Sequence, residues 1–190
     1  IYLLLAVILG TASSNAQVVI SQAYGGGGNN GSTYTNDFIE LFNRGTVAVN
    51  INGYSIQYAS AAGSNWSKTD LPNFTLQPGQ YYLVQQAQGA GGTTALPSPD
   101  LVTVLDVNQI AMSGTNFKVL LANTTTLVTS VTDAQVIDLL GVGTANGFEG
   151  TVAPALTNTT AAIRNNNGCT DTNNNASDFD TTQAPAPRNS

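Results

Sequence analysis

The feature that most constrains this chain is how its apolar residues are distributed. They come in short runs, several alternating with period two, and each run is closed within a few residues by Gly, Pro, Asn or Asp. A period of two puts successive side chains on opposite faces of an extended backbone. No long stretch keeps the 3.6-residue period of an amphipathic helix. Strands are predicted at Val18-Val19-Ile20-Ser21-Gln22, Asp37-Phe38-Ile39-Glu40-Leu41-Phe42, Val47-Ala48-Val49-Asn50-Ile51 and Tyr54-Ser55-Ile56-Gln57-Tyr58. Further strands are predicted at Tyr81-Tyr82-Leu83-Val84, Phe117-Lys118-Val119-Leu120-Leu121-Ala122, Thr126-Leu127-Val128, Val136-Ile137-Asp138-Leu139-Leu140 and Ala161-Ala162-Ile163-Arg164. Turns fall at Asn52-Gly53 and Pro78-Gly79, where glycine supplies positive φ and proline presets its own. Residues 85–99, rich in Gly, Ala, Gln and Pro, read as a loop or variable insertion. Many short strands at this spacing predict an all-β sandwich or barrel.

The chain opens on one apolar run, residues 1–10, too short to cross a bilayer as a helix. Small and polar residues follow, with Ser14 and Ala16 placed for signal-peptidase cleavage before Gln17. Residues 1–16 are therefore expected to be a signal peptide whose charged start is missing. Residues 17–183 form the expected domain, and residues 184–190, which contain Ala184-Pro185-Ala186-Pro187, read as a Pro-rich tail, linker or final extended edge. The expected destination is secreted, extracellular or cell-surface, with no transmembrane segment.

Charge and composition remove several function classes. Only 8% of residues are charged, against about a quarter in ordinary domains. The net charge is −6, and the five basic residues are scattered, which argues against direct nucleic-acid binding. The absence of histidine excludes Ser-His-Asp and Cys-His catalysis and His-ligated zinc or iron. A single cysteine, Cys169, precludes an internal disulfide and leaves a thiol that is either buried or paired between molecules.

Several blocks, taken in order, resemble one family. Asp37-Phe38-Ile39-Glu40-Leu41-Phe42-Asn43 is similar to its acidic ELxN strand. Val49-Asn50-Ile51-Asn52-Gly53-Tyr54-Ser55-Ile56 resembles its next strand, with Tyr54 where Trp is usual. Phe74 to Val84, around Leu76-Gln77-Pro78-Gly79-Gln80, resembles its Pro-Gly hairpin. Ala162-Ile163-Arg164, Thr170 to Asn175 and Asp178-Phe179 resemble its closing segment, and Tyr24-Gly25-Gly26-Gly27-Gly28-Asn29 is typical of its bacterial exported branch. The family is the lamin tail domain. The resemblance implies an immunoglobulin-like β-sandwich, as found at the N-terminus of secreted nucleases and phosphoesterases and in cell-surface proteins. Close relatives tend to carry cysteines near Asn146-Gly147-Phe148-Glu149-Gly150; here Gly147 takes that place.

Four features invite a chemical reading. Gly25 to Gly28 lack the Lys-Ser/Thr and the helix of a phosphate loop, so a flexible connection between strands is expected. Asp171, Asn173, Asn175 and Asp178 place oxygen side chains at alternating positions, a pattern calcium accepts, although the central Gly and terminal Glu of an EF-hand loop are missing. The competing interpretation is an Asx-turn loop. Asp37 and Glu40, three apart on a strand, point to opposite faces and cannot form a glycosidase pair. Trp66, Tyr54, Tyr58, Tyr81 and Tyr82 suggest either a sugar platform or ordinary core and cross-strand pairs. Asn73-Phe74-Thr75 and Asn158-Thr159-Thr160 are sequons of a kind this Asn/Thr content produces by chance.

The expected function is that of a non-catalytic extracellular module that binds a protein, a polymer or the cell surface, without catalytic residues or cofactor. Two alternatives stand beside it: an accessory domain of a secreted nuclease or phosphoesterase, and a self-associating surface or filament subunit.

Overall fold

The computed structural model describes residues 16–103 and 109–190. The signal peptide expected over residues 1–16 lies, but for Ala16, outside the described residues.

Among the described residues, twelve strands form three sheets. β1 (Val18–Tyr24), β2 (Asn36–Asn43), β7 (Tyr81–Gln88), β8 (Leu101–Val102), β11 (Ala162–Arg164) and β12 (Phe179–Asp180) make a six-stranded sheet in the order β12-β11-β1-β2-β7-β8. β4 (Ser55–Ser60), β5 (Ser67–Asp70), β9 (Phe117–Ala122) and β10 (Val136–Val142) make a four-stranded sheet in the order β10-β9-β4-β5. β3 (Val49–Asn50) pairs with β6 (Thr75–Leu76). All pairs of named strands are antiparallel except β7–β8. A 3-10 turn spans Asn166–Gly168, and α1, a single turn of α-helix, spans Asn175–Asp178. The two larger sheets pack as an immunoglobulin-like sandwich.

Period-two patterning builds the core. Val18 and Ile20 of β1, Ile39 and Leu41 of β2, and Tyr82 and Val84 of β7 meet Ile56 of β4, Phe117, Val119 and Leu121 of β9, and Leu140 and Val142 of β10. Each fully buried aliphatic or aromatic side chain contributes about 1.5–3 kcal/mol of transfer free energy. The outer faces are covered as well. Tyr24, Phe38, Leu83, Leu96 and Ala161 cluster on the six-stranded sheet, and Leu120, Ala122, Val128 and Leu139 on the four-stranded one.

Several expectations change at this point. Thr126-Leu127-Val128 is not a strand; it lies in the loop that caps the four-stranded sheet through Val128. β7 runs on to Gln88, and the segment expected as an insertion is pinned by Thr35 N–H donating to Thr94 O, and by Thr93 and Thr94 N–H donating to Thr33 O. The glycine run is not a flexible connection. It is buried, and a Cβ on Gly27 would lie 1.9 Å from the Asn36 carbonyl carbon, and one on Gly28 2.2 Å from Gly89. Gly28 also has φ +67°, so the run serves close backbone approach.

Residues 184–190 do not stand off as a linker. Pro185 is buried, Ala186 N–H and O bond the Gln22 side chain, and Arg188 bonds Glu40. Contacts made across 148 positions of sequence hold this segment on the six-stranded sheet.

Candidate functional site

One seam of the sandwich, where β10 approaches β1, holds a charged cluster. β1 shifts register between Ile20 and Gln22, and β10 shifts between Val136 and Asp138. Such bulges re-aim side chains and free backbone groups from the ladder. The β1–β11 register ends at Gln22, so the polar groups of Ile20 need other partners. Ile20 N–H donates to Asp138 Oδ2 at 2.6 Å, and Ile20 O accepts from Arg164 Nε at 2.8 Å. Arg164 Nη2 reaches both oxygens of Asp138, at 2.8 and 2.7 Å, and Nη1 donates to Thr170 O at 3.1 Å. The guanidinium also stacks 4.4 Å above the Phe179 ring. Both charges are wholly buried; Nη2 alone spans the carboxylate while Nε and Nη1 bond backbone oxygens, so the guanidinium donors are satisfied, as a buried pair requires.

The residues expected to hold calcium join this seam, each with its own task. Asp171 sits 2.9 Å from Arg44 Nη1 and 3.6 Å from Arg164 Nη1. Asp178 accepts the Thr172 N–H and hydroxyl and the Asn174 N–H, with Arg164 at 3.9 Å. The Asn175 side-chain amide plugs the edge of β10, donating to Leu139 O at 2.8 Å and accepting Gly141 N–H at 2.8 Å. Asn173 is exposed, with φ +54°. The segment is thus a network of Asx-type bonds in which two guanidinium groups already neutralise Asp171. Within this network Asp171 and Asp178 face guanidinium groups and backbone amides.

Sequence reasoning missed Asp138 and Glu149. Asp138, Glu149 and Asp171 each offer an oxygen within 4.8 Å of the others. Burial pushes the Asp138 carboxyl up against the opposing pull of Arg164. Burial, with the Asp138 charge next, pushes Glu149 up to about 8. Four carboxylates facing two guanidiniums are relieved when Glu149 holds a proton near neutral pH. A signal was available: Asp138 interrupts an apolar run, and a charge on a buried strand needs a partner.

Asp37 and Glu40 point to opposite faces as expected. Asp37 is buried, with Oδ2 accepting Met112 N–H at 2.9 Å, while Oδ1 has no hydrogen-bond partner. Burial pushes its carboxyl up to about 7. Glu40 sits on the outer face, bonded to Ser21 and to the basic side chain of Arg188. The aromatic residues form no common platform. Tyr82 packs in the core against Phe74, Tyr58 accepts the Ser113 N–H, and Trp66 lies on the outer face of the four-stranded sheet. Tyr54 borders the core, and Tyr81 lies on the other outer face between Phe42 and Arg188. Cys169 is exposed.

The outer face of the six-stranded sheet carries a cleft of about 520 Å³, between the turn at Asn165 to Asn167 and residues 186–188. Gln22, Asp180, Gln183 and Arg188 complete its polar lining. Planar amides and single charges of both signs suit hydrogen bonding to a polar ligand or chain, and none of these groups is a nucleophile poised beside a base.

The family model described as the lamin tail domain matches residues 11–143. Ten chains among the solved structures match. One is a DUF4876 family protein from Bacteroides thetaiotaomicron, whose crystal structure aligns with a TM-score of 0.61 at 12% identity, covering 92% of this chain and 73% of that one. At that identity the likeness is one of fold. No curated protein matches the sequence.

Proposed function

Because this chain belongs to the lamin tail domain family, we propose that it is a non-catalytic extracellular module that holds a protein, a polymer or a cell surface through the outer face of its six-stranded sheet. The observation that carries this is the amide-lined cleft of about 520 Å³ on that face. Four of the buried carboxylates support it from the other side. Asp138, Asp171 and Asp178 are spent on Arg164, Arg44 and backbone amides, and Glu40 on Arg188. Export is supported by the apolar start with its small-residue site, and a net charge of −6 argues against nucleic acid as a direct partner. No cofactor is required by this function.

Retention assays on the immobilised chain test it, against envelope fractions, isolated polysaccharides and secreted proteins. A variant with Asn166→Lys and Gln183→Lys in the cleft should lose the retained material. Retention indifferent to that variant, or hydrolysis of phosphoester substrates by the purified chain, would overturn the proposal.

A further inference from the structure

Segment 184–190 crosses the outer face of the six-stranded sheet without joining any strand ladder. Side chains of the sheet hold residues 186 and 188 and divide the work of recognition, while Ser98 O and Asp100 accept from Asn189 and Ser190 at the end of the segment. The Gln22 amide reads backbone: Nε2 donates to Ala186 O at 3.0 Å and Oε1 accepts Ala186 N–H at 2.8 Å. Glu40 reads both a backbone amide and a side chain. Its Oε2 accepts Arg188 N–H at 2.6 Å and Nε at 3.3 Å, and its Oε1 accepts Nη2 at 2.8 Å. Tyr81 completes the seat. Its hydroxyl accepts Arg188 Nη1 at 2.8 Å, and its ring lies 3.8 Å beneath the guanidinium carbon.

These receptor groups are anchored from below. Ser21 donates to Glu40 Oε1 at 2.6 Å, Phe42 backs the Tyr81 ring at 4.6 Å, and the Tyr81 hydroxyl donates to Asn167 O. A carboxylate that takes a forked donor, beside an aromatic face, selects arginine over lysine: only guanidinium is planar enough to fork and stack at once. A side-chain amide that pairs both backbone groups of one residue requires an extended segment with a free N–H there. Pro187, between the two read positions, keeps the segment extended and lowers the entropy lost on docking.

We propose that this face is a receptor for an extended peptide of a partner chain carrying a small residue, a proline and an arginine in that order, and that residues 184–190 fill it in cis. The inference deepens the module function and rests on it. A tethered occupant competes at an effective concentration in the millimolar range, so a partner peptide gains access only when the segment is displaced.

The test uses the full chain and a synthetic peptide of residues 182–190. Ala186→Pro/Arg188→Ala removes the N–H read by Gln22 and the arginine read by Glu40. Titration calorimetry should show this variant binding the peptide on the order of 100-fold more tightly than the unaltered chain does. A peptide with Lys for Arg188 should bind about tenfold more weakly. Adding Glu40→Gln to the variant should abolish binding. If the double variant does not melt cooperatively, Arg188→Lys, which keeps the cation, serves instead and should still admit the arginine peptide ahead of the unaltered chain. The proposal is overturned if a folded variant fails to bind, if the unaltered chain binds equally well, if Glu40→Gln leaves affinity unchanged, or if the variant dimerises in place of binding peptide. Should retention of envelope, polymer or secreted protein survive while the peptide fails, this inference falls and the module function stands.

Discussion

Asp37→Asn should make the protein more stable in mild alkali and remove part of its pH dependence. Asp37 is 4% exposed; Oδ2 accepts the Met112 N–H, Oδ1 has no well-formed partner, and the Gly27 N–H lies near enough to oppose the effect of burial. Burial raises its carboxyl from 3.8 to about 7. Between those values the folded chain holds a proton that the unfolded chain has released. This contribution to stability is fully present below about pH 4 and is lost as pH rises through about 7. About three units at 1.36 kcal/mol each amount to about 4 kcal/mol lost by pH 8.5. Asparagine keeps the acceptor for Met112 N–H but puts an unpaired amide where Oδ1 was, at a cost of about 1–3 kcal/mol. The net gain at pH 8.5 is therefore about 1–3 kcal/mol, or about 3–9 °C in melting temperature. Near pH 4, where the parent keeps most of that contribution, the same cost should leave the variant about 1–2 kcal/mol below it. Tyr24 and Tyr58 face the same carboxylate, and burial raises both, with Asp37 adding to the rise, so neither titrates in this window. Glu149, pushed up to about 8, adds a trend of the same sign that cancels in the difference between parent and variant. Thermal melts of both chains from about pH 4 to 8.5 decide the matter. A difference that does not grow with pH, or one favouring the parent at pH 8.5, refutes the reasoning.

Three further outcomes are expected. Arg164→Met leaves Asp138 buried and unpaired and should cost about 3–5 kcal/mol by urea unfolding, with part recovered when Asp138→Leu is added; an additive double variant would mean the two do not interact. Gly27→Ala drives a methyl into the Asn36 backbone and should cost at least about 1–3 kcal/mol, while Gly53→Ala, with nothing within 4 Å, costs only the strain of its φ of +80°; equal losses would count against close packing at the glycine run. Calcium should leave the melting temperature unchanged, because Arg44 and Arg164 already face Asp171; a rise of more than about 2 °C that a chelator reverses would restore calcium to Asp171, Asn173, Asn175 and Asp178.

Strands with a clean alternation were legible. Phe117–Ala122 is predicted residue for residue, and Asn36–Asn43 differs by one position at each end. β5 was not legible, because Ser67-Lys68-Thr69-Asp70 is an edge strand in which Thr69 is the buried residue, so no apolar period marks it. The glycine run misled for a local reason. Four glycines read as freedom, whereas the crowding that demands them comes from Asn36, Gly89, Ser113 and Asn158, which only the fold brings near. The loop at 171–178 was legible as a concentration of oxygen ligands but not as to their partners. Arg164 and Asp138 are 26 positions apart, and Arg44 and Asp171 are 127 apart. Spacing alone says nothing about such pairs.

The sheet margins bear on how copies of this domain could be strung together. β8 and β12, which bound the six-stranded sheet, are two residues long, β5 is four, and β10 is plugged by the Asn175 amide. Among the described residues, strand addition, which would extend a sheet from one molecule into the next, finds too little exposed ladder to propagate. An array built from this domain would have to grow by exchanging a segment held by side chains, as residues 184–190 are, and its length would then be set by one arginine–glutamate contact per joint.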